Sequence, residues 1–268
     1  MFFIVTIDNS DSFPCYIYLY SFQNMAYIDI LIPLLLLLVA FLYASVGHGG
    51  ASGYIAVLTL FSIPLATYKP VVLVLNVVIA SIAFYQFYKA GYFKWKLTWP
   101  FLVTSIPAAF IGSTISVDEK MYKVILGLAL LFPVVRLVTN FAKEQPNRKE
   151  LSLPIALFIG AVIGLLSGFL NIGGGIFLSP ILLLLAWSSA KETAAVSSLF
   201  IVCNSVAGLF ATFSTGIHFS TQHFIWLSAA IIGGIFGAYF GSNRYKQSTI
   251  MYVLAGVLLI ASFKLLFS

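Results

Sequence analysis

The chain has 268 residues, of which 61% are hydrophobic and only 8% are charged, and its mean hydropathy is +1.04. This composition excludes a soluble globular domain and indicates an integral membrane protein, whose expected partner is the lipid bilayer. The net charge of +6 does not indicate nucleic acid as a partner, because the basic residues lie in short loops between apolar segments and act as topology signals.

The N-terminal segment, residues 1–24, differs from the rest of the chain. It carries two aspartates and neither Lys nor Arg, so it lacks the basic region of a signal peptide. Residues 7–13 are similar to the first strand of glutamine amidotransferase domains, but nothing of that fold follows. We interpret residues 1–24 as an extension of unknown role and Met25 as the natural start of the membrane protein.

Ten apolar segments follow, five on each side of a polar linker at residues 143–150. They cover residues 28–46, 54–66, 70–88, 97–116, 121–139, 152–170, 175–187, 193–215, 222–241 and 247–267. The second segment of each half has about 13 residues, or roughly 20 Å of helix, which is too short for a hydrocarbon core of roughly 30 Å. The glycine-rich loop before each short segment is therefore expected to enter the membrane.

The two halves, residues 25–142 and 151–268, have the features of a repeat, and Lys69 and Lys191 each open a third segment. If every segment reverses the chain, ten basic residues collect on the side of Lys94 and four on the other side, which places the 143–150 linker in the cytoplasm. Five segments is an odd number, so the halves must be inverted. We predict an all-α integral membrane protein of two inverted repeats, each of about five apolar segments with a broken or re-entrant helix at its glycine loop. It is expected to cross the cell membrane several times.

Backbone N–H groups at the two glycine loops are the first candidate binding groups. A helix that begins after such a loop presents unpaired N–H groups and the positive end of its dipole, which favours an anion in a low dielectric. The candidate donors are at Gly49, Gly50, Ser52, Gly173, Gly174 and Gly175. The alternative is close helix packing through small residues. Because two related clusters each open a short segment, we favour a binding site.

Polar side chains inside the apolar segments are the second signal, because each of them needs a partner in hydrocarbon. The candidates for the substrate's remaining contacts are Asn76, Asn171, Ser197, Ser198 and Asn204. Ser197 and Asn204 are seven residues apart and therefore share one face of a helix. The alternative for each residue is a hydrogen bond between helices.

The positions of the histidines and carboxylates limit which substrates and proton-transfer steps the sequence allows. His48 lies within a glycine loop. It could relay a proton or tune the charge of the site, and the alternative is a neutral, hydrogen-bonded histidine. A charged His48 would make transport fall as pH rises past about 6.5. His218 and His223 fall in an outer loop and are expected to be solvated. No Asp or Glu lies deep in a segment, so we expect an anionic or neutral substrate and predict no catalytic residue, metal or cofactor.

The paired loops resemble those of the TauE/SafE family of sulfite exporters. The resemblance rests on Gly47-His48-Gly49-Gly50 and on Asn171-Ile172-Gly173-Gly174-Gly175 with Pro180 five residues on, and it covers essentially residues 25–268. The first loop departs from the family pattern, with Ala51 where a third glycine is usual and no proline at Ala56. The resemblance implies a membrane transporter that moves sulfite or small organosulfur anions, usually outward.

Two alternatives belong to other classes. Gly50-Ala51-Ser52-Gly53 is also the serine motif of rhomboid intramembrane proteases. His48 lies only four residues away across a loop, and a serine with no base in reach is a poor nucleophile, so we do not predict an enzyme. The other alternative is an anion channel or a membrane assembly factor. Substrate-dependent counterflow distinguishes a carrier from a channel.

Overall fold

Helices account for nearly all the regular structure in the part of the chain that the structure describes. The computed structural model describes residues 16–115, 118, 120–122, 124–129, 131, 148–212, 220–243, 259, 262, 263 and 266. Among these residues there are eight defined helices and no strand: α1 (Tyr16–Ser45), α2 (Ala51–Leu60), α3 (Leu65–Lys89), α4 (Trp95–Thr114), α5 (Leu153–Leu170), α6 (Gly175–Leu184), α7 (Ala190–Thr212) and α8 (Thr221–Asn243).

Six of these helices are long and apolar enough to cross a membrane, namely α1, α3, α4, α5, α7 and α8. Large apolar side chains such as Phe158 and Phe210 remain about two-thirds exposed on their outer faces, where hydrocarbon would surround them. The prediction of an all-α integral membrane protein that crosses the bilayer several times is therefore confirmed.

Helices α2 and α6 are much shorter, with 10 residues each. A helix of this length spans about 15 Å, roughly half of the hydrocarbon core. Nearly all of their side chains are buried, so both short helices lie inside the bundle rather than against lipid. Each follows a break in the chain at its glycine loop, as predicted.

Several predicted boundaries differ from the observed ones or cannot be compared with them. Helix α1 begins at Tyr16, so the end of the 1–24 extension continues the first helix instead of preceding it. The role of that extension and the predicted domain limits stay predictions. Most of the segments predicted at 121–139 and 247–267, and most of the 143–150 linker, lie outside the described residues.

Two helix pairs are held together by glycines that let the backbones approach closely. Three glycines of α5 lie against the backbone of α4, and three of α8 lie against that of α1: Gly160, Gly164, Gly168, Gly233, Gly237 and Gly241. Within each pair the contacts advance in the same direction along both helices, so the two pairs are parallel. Four-residue spacing places each trio on one helix face, which is the small-residue interface of membrane helices.

Helices α3 and α7 run antiparallel through the middle of the bundle. Gly208, late in α7, lies near Leu73 early in α3, whereas Lys191 at the start of α7 bonds to Tyr92 just past the end of α3. If α1 corresponds to α5 and α4 to α8, the α4–α5 interface is equivalent to the α1–α8 interface. These contacts support the inverted repeat, which remains a prediction.

Candidate functional site

Two chain breaks at the centre of the bundle position the candidate site. The first runs from Val46 to Gly50 between α1 and α2, and the second from Asn171 to Gly174 between α5 and α6. Gly50 and Gly174 are the residues that immediately precede the short helices, and both have positive φ, at 98° and 78°. This backbone conformation is one that glycine adopts without the steric cost of a Cβ, so both loops require glycine there.

Asn76 joins the two loops. Its Oδ1 accepts a hydrogen bond from the Ala51 N–H at 3.1 Å, and its Nδ2 donates to Ser205 Oγ at 2.8 Å. A Cβ added at either Gly49 or Gly173 would collide with the Asn76 side chain. The space between these two glycines is therefore occupied by the Asn76 amide in this conformation, and the same side chain lies against both loops.

His48 connects the first loop to the second half of the chain. Its Nδ1 lies 3.1 Å from the Val46 carbonyl oxygen, and its Nε2 lies 3.1 Å from Ser179 Oγ. Ser179 Oγ in turn lies 2.8 Å from Ser197 Oγ. Because a carbonyl only accepts, Nδ1 carries the proton, and in the neutral imidazole Nε2 accepts from Ser179. His48 and Ser197, both predicted, thus belong to one network across the two halves.

Ser52 and Ser198 have local partners. Ser52 Oγ lies 2.8 Å from the hydroxyl of Tyr43 in α1, and Ser198 Oγ donates to the Ala195 carbonyl in its own helix at 2.9 Å. Both are buried and satisfied. The serine that contacts His48 is Ser179, not the Ser52 of the rhomboid-like motif.

Asn171 and Asn204 are buried amides with polar atoms that have no protein partner. Asn204 is 2% exposed, and neither its Oδ1 nor its Nδ2 has a hydrogen bond. Asn171 is 1% exposed, and its Nδ2 donates to the Phe169 carbonyl while its Oδ1 has no donor. Asn204 shares a helix face with Ile201 and Ser197, both of which have atoms against Gly175. An unpartnered amide from α7 is thereby placed beside the second loop.

The backbone of the second loop adds further unused donors. Within the described part of the chain, no hydrogen bond uses the amide N–H groups of Gly173, Gly174, Gly175 or Ile176, although all four residues are buried. Buried N–H groups without an acceptor are rare in native proteins. Successive N–H groups at a helix start form a concave donor set that suits an oxyanion. The first loop has as many, because the N–H groups of Gly49, Gly50, Ser52 and Gly53 also take part in no hydrogen bond among the described residues. There, however, the Asn76 amide bonds the Ala51 N–H and fills the space beside Gly49.

The structure corrects one expectation about the histidines. His223 lies in the first turn of α8, is only 5% exposed and packs against Trp226, so it is not a solvated loop residue. The helix spans Thr221–Asn243, and the predicted segment at 222–241 already included this residue, so the expectation of a solvated loop position was wrong. His218 lies outside the described residues.

Sequence reasoning also missed partners that complete the networks. Ser179 stands one helical turn after Gly175, at the spacing that places it on the same face as the helix start. Ser205 directly follows the predicted Asn204, and Tyr43 precedes the first loop by one turn. Spacing alone could have suggested Ser179, whereas the Asn76–Ser205 contact joins residues 129 positions apart.

In the described part of the chain, six helices long enough to cross a membrane surround two short helices and a buried polar centre, an arrangement typical of polytopic membrane transporters. The chain belongs to the family described as "Sulfite exporter TauE/SafE", which matches residues 32–265. The family is the one that the glycine loops resemble, so that prediction is confirmed.

Similar proteins are also described as membrane transporters. The "Probable membrane transporter protein y4hK" of Sinorhizobium fredii is 33% identical over 85% of this chain and 94% of its own length. The "Probable membrane transporter protein YdhB" of Bacillus subtilis is 28% identical over 80% and 89%. The MamO protein of Paramagnetospirillum magneticum, also named a probable membrane transporter, is 24% identical over 71% of this chain but only 37% of its own. No solved structure matches the chain significantly.

These findings establish a multi-pass membrane transporter and confirm that the chain is not an enzyme. The residues predicted to bind the substrate are not tested by the comparisons and stay predictions.

Proposed function

We propose that the chain is a secondary transporter that exports or exchanges small anions of the sulfite or organosulfur class. The anion is held at the second loop by the N–H groups of residues 173–176, with the side chains of Asn171 and Asn204 beside it. The description of the family supports the sulfur class, whereas the names of the relatives go no further than membrane transport.

The observation that carries this proposal is the concentration of unused polar groups at one place. A buried polar atom left without a partner costs about 1–3 kcal/mol. Four loop amides and both polar atoms of Asn204 would each bear such a cost in the empty protein. A ligand that accepts hydrogen bonds removes much of it, and four N–H donors with no neighbouring carboxylate favour an anion over a cation.

Asn76, His48, Ser197 and Ser52 have a different role in this proposal. Their hydrogen bonds link the first loop and α2 to α1, α3 and α6, and link α6 to α7. The anion site therefore lies next to contacts that join the two halves of the chain. Relative movement of the halves would change access to the loops from either side of the membrane, as alternating access requires.

A comparison of two buried asparagines tests the proposal. We expect Asn204→Leu to lower sulfite and sulfoacetate counterflow in proteoliposomes about 10- to 100-fold, since a hydrogen bond to a charged group contributes about 1.5–3 kcal/mol. The melting temperature of the variant should equal or exceed that of the parent, because the replaced amide has no protein partner.

Asn76→Leu is the matched control, because its amide is fully partnered. It should destabilise the fold by about 1–3 kcal/mol, since it leaves the Ala51 N–H without an acceptor. Parental counterflow in Asn204→Leu would place the anion elsewhere. Anion flux without counterflow in the parent protein would instead favour the channel.

A further inference from the structure

Two lysines stand at opposite ends of the antiparallel α3–α7 pair. Lys69 lies in the second turn of α3, and Lys191 is the second residue of α7. Each is partly buried. Each also lies close to one tyrosine ring, with Nζ 5.0 Å from the ring centroid of Tyr122 for Lys69 and 4.9 Å from that of Tyr92 for Lys191. The two ends of the bundle thus carry the same lysine–tyrosine pair.

Lys69 lies beside the second glycine loop. The hydroxyl of Tyr122, the ring under the Lys69 ammonium, donates to the carbonyl of Leu170 at 2.6 Å. Leu170 immediately precedes Asn171, whose Oδ1 has no partner. One tyrosine ring therefore separates the Lys69 ammonium from the start of the loop that carries the free N–H groups.

Lys191 lies beside the first glycine loop. Its ammonium donates to the carbonyl of Ser242 at 3.0 Å and to the hydroxyl of Tyr92 at 3.1 Å. The neighbouring Gly241 packs on the backbone of Ser45, where α1 ends and the first loop begins. On the α7 side, Ala194 lies against Gly47 within that loop. Each lysine is thus adjacent to the loop of the opposite half of the chain.

The two lysines differ from other basic residues near the site in their counter-ions. Lys94 and Arg148 both bind Glu192 Oε1, with Arg148 Nη1 at 3.0 Å and Lys94 at 2.6 Å. Within the described part of the chain, neither Lys69 nor Lys191 has a carboxylate partner within 4 Å. A partly buried ammonium without a counter-ion attracts an anion more strongly than a solvated one, since screening by water is weaker.

We propose that Lys69 and Lys191 are the two anion-capture residues of the transporter, one at each end of the α3–α7 pair, and that each captures the anion from its own end before it reaches the site at the second loop. This inference rests on the proposed function. In this conformation Lys191 donates to Tyr92 and Ser242, whereas no protein hydrogen bond of the Lys69 ammonium is found among the described residues. The Lys69 ammonium therefore has its donors available for an anion, whereas two donors of Lys191 are already bonded to protein.

Sided kinetics test this proposal. In proteoliposomes of uniform orientation, the half-saturation concentration of sulfite is measured from each face in turn. We expect Lys69→Gln to raise this concentration about tenfold or more at one face and to leave the opposite face unchanged, since it removes a charge-assisted hydrogen bond. Lys191→Gln should produce the reverse pattern. Lys69→Arg, which keeps the charge, should remain within about threefold of the parent, because both cations donate to an oxyanion.

Exposed lysines at the same two ends provide matched controls. Lys120, two residues before Tyr122, and Lys89, three residues before Tyr92, are both exposed. Lys120→Gln and Lys89→Gln should leave both half-saturation concentrations at the parental value. Melting temperatures are measured for every variant to confirm that it folds. If Lys69→Gln does not fold, Lys69→Ala replaces it in the kinetic test, because alanine leaves no polar group at this partly buried position.

The outcomes separate this inference from the proposed function. If the parent transports sulfite, Asn204→Leu abolishes transport and Lys69→Gln behaves like Lys120→Gln, the capture role is wrong and the loop site stands. Equal changes at both faces would also overturn it. If the parent transports neither sulfite nor sulfoacetate, the proposed function fails and the capture role fails with it.

Discussion

At the scale of single residues, the site is built on a contrast between two buried asparagines. Asn76 has both amide atoms bonded to protein and lies against both glycine loops. Asn204 has neither atom bonded and lies on the face of α7 that contacts the second loop and the start of α6. Residue type and burial are the same, so only the partners separate a structural amide from a candidate ligand. Gly49 has a structural role like that of Asn76, because its lack of a Cβ makes room for the Asn76 side chain.

The contact between Gly49 and Asn76 leads to a prediction of coupled stability. Gly49→Ala should destabilise the parent by about 1–3 kcal/mol, because its methyl group would overlap the Asn76 amide. In an Asn76→Ala background the same substitution should cost less, because the overlap with the side-chain amide is removed and only the contact with the main-chain oxygen of residue 76 remains. A double-mutant cycle, measured by unfolding in detergent, should give a coupling energy of about 0.5–3 kcal/mol. Additive costs would show that the two residues are not in contact.

At the scale of helices, the fold depends on two interfaces of the same design. Gly164 allows the backbone of α5 to lie on α4 at Ser105, and Gly237 allows α8 to lie on α1 at Phe41. The neighbours in both cases are main-chain atoms, which cannot rotate away as the end of a side chain can. Close approach also lets many weak contacts form along the helices, which is the main attraction between them in lipid.

We therefore expect Gly164→Val and Gly237→Val to destabilise the protein to a similar extent, by about 1–3 kcal/mol or more, because the helices must separate. The measurement is the melting temperature in detergent. Leu166→Val and Ile232→Val are the matched controls on the same two helices, since both side chains are exposed on the outer surface, and they should change stability by less than about 0.5 kcal/mol. A glycine variant as stable as its control would contradict this account of the interface.

At the scale of the whole molecule, the path of the anion follows from how the two halves are placed. The antiparallel α3–α7 pair puts corresponding ends of the two halves at opposite ends of the bundle. Both glycine loops meet at Asn76 in the middle. A central site with a similar approach from either end is the geometry that secondary transporters use.

The predicted inverted repeat leads to an expectation about which face of the membrane each loop lies on. In a variant with Cys15 and Cys203 replaced by serine and alanine, single cysteines are introduced at Lys96 and Lys120, both exposed in the structure. A membrane-impermeant thiol reagent should label Lys96→Cys from the cytoplasmic face and Lys120→Cys from the opposite face. Labelling of both from the same face would show that the assignment of the halves is wrong.

The class of the protein and the location of its chain breaks can be predicted from the sequence alone. Runs of apolar residues predict membrane helices because burial in lipid depends on local composition, and clustered glycines predict breaks because their conformational freedom is a local property. The family resemblance depended on the same local motifs. For this reason the all-α membrane fold, the short helices α2 and α6 and the transporter class were all predicted before the structure.

Which polar residues are available to a ligand cannot be predicted from the sequence and depends on how the helices pack. Asn76 and Asn204 look alike in the sequence, and their difference depends on Ser205, Ala51 and the second loop, which pack against them from distant parts of the chain. The pairing of His48 with Ser179 likewise joins residues 131 positions apart. Hydrogen-bond satisfaction is a property of the assembled bundle, because a donor in one half is matched or left unmatched only when the other half packs against it.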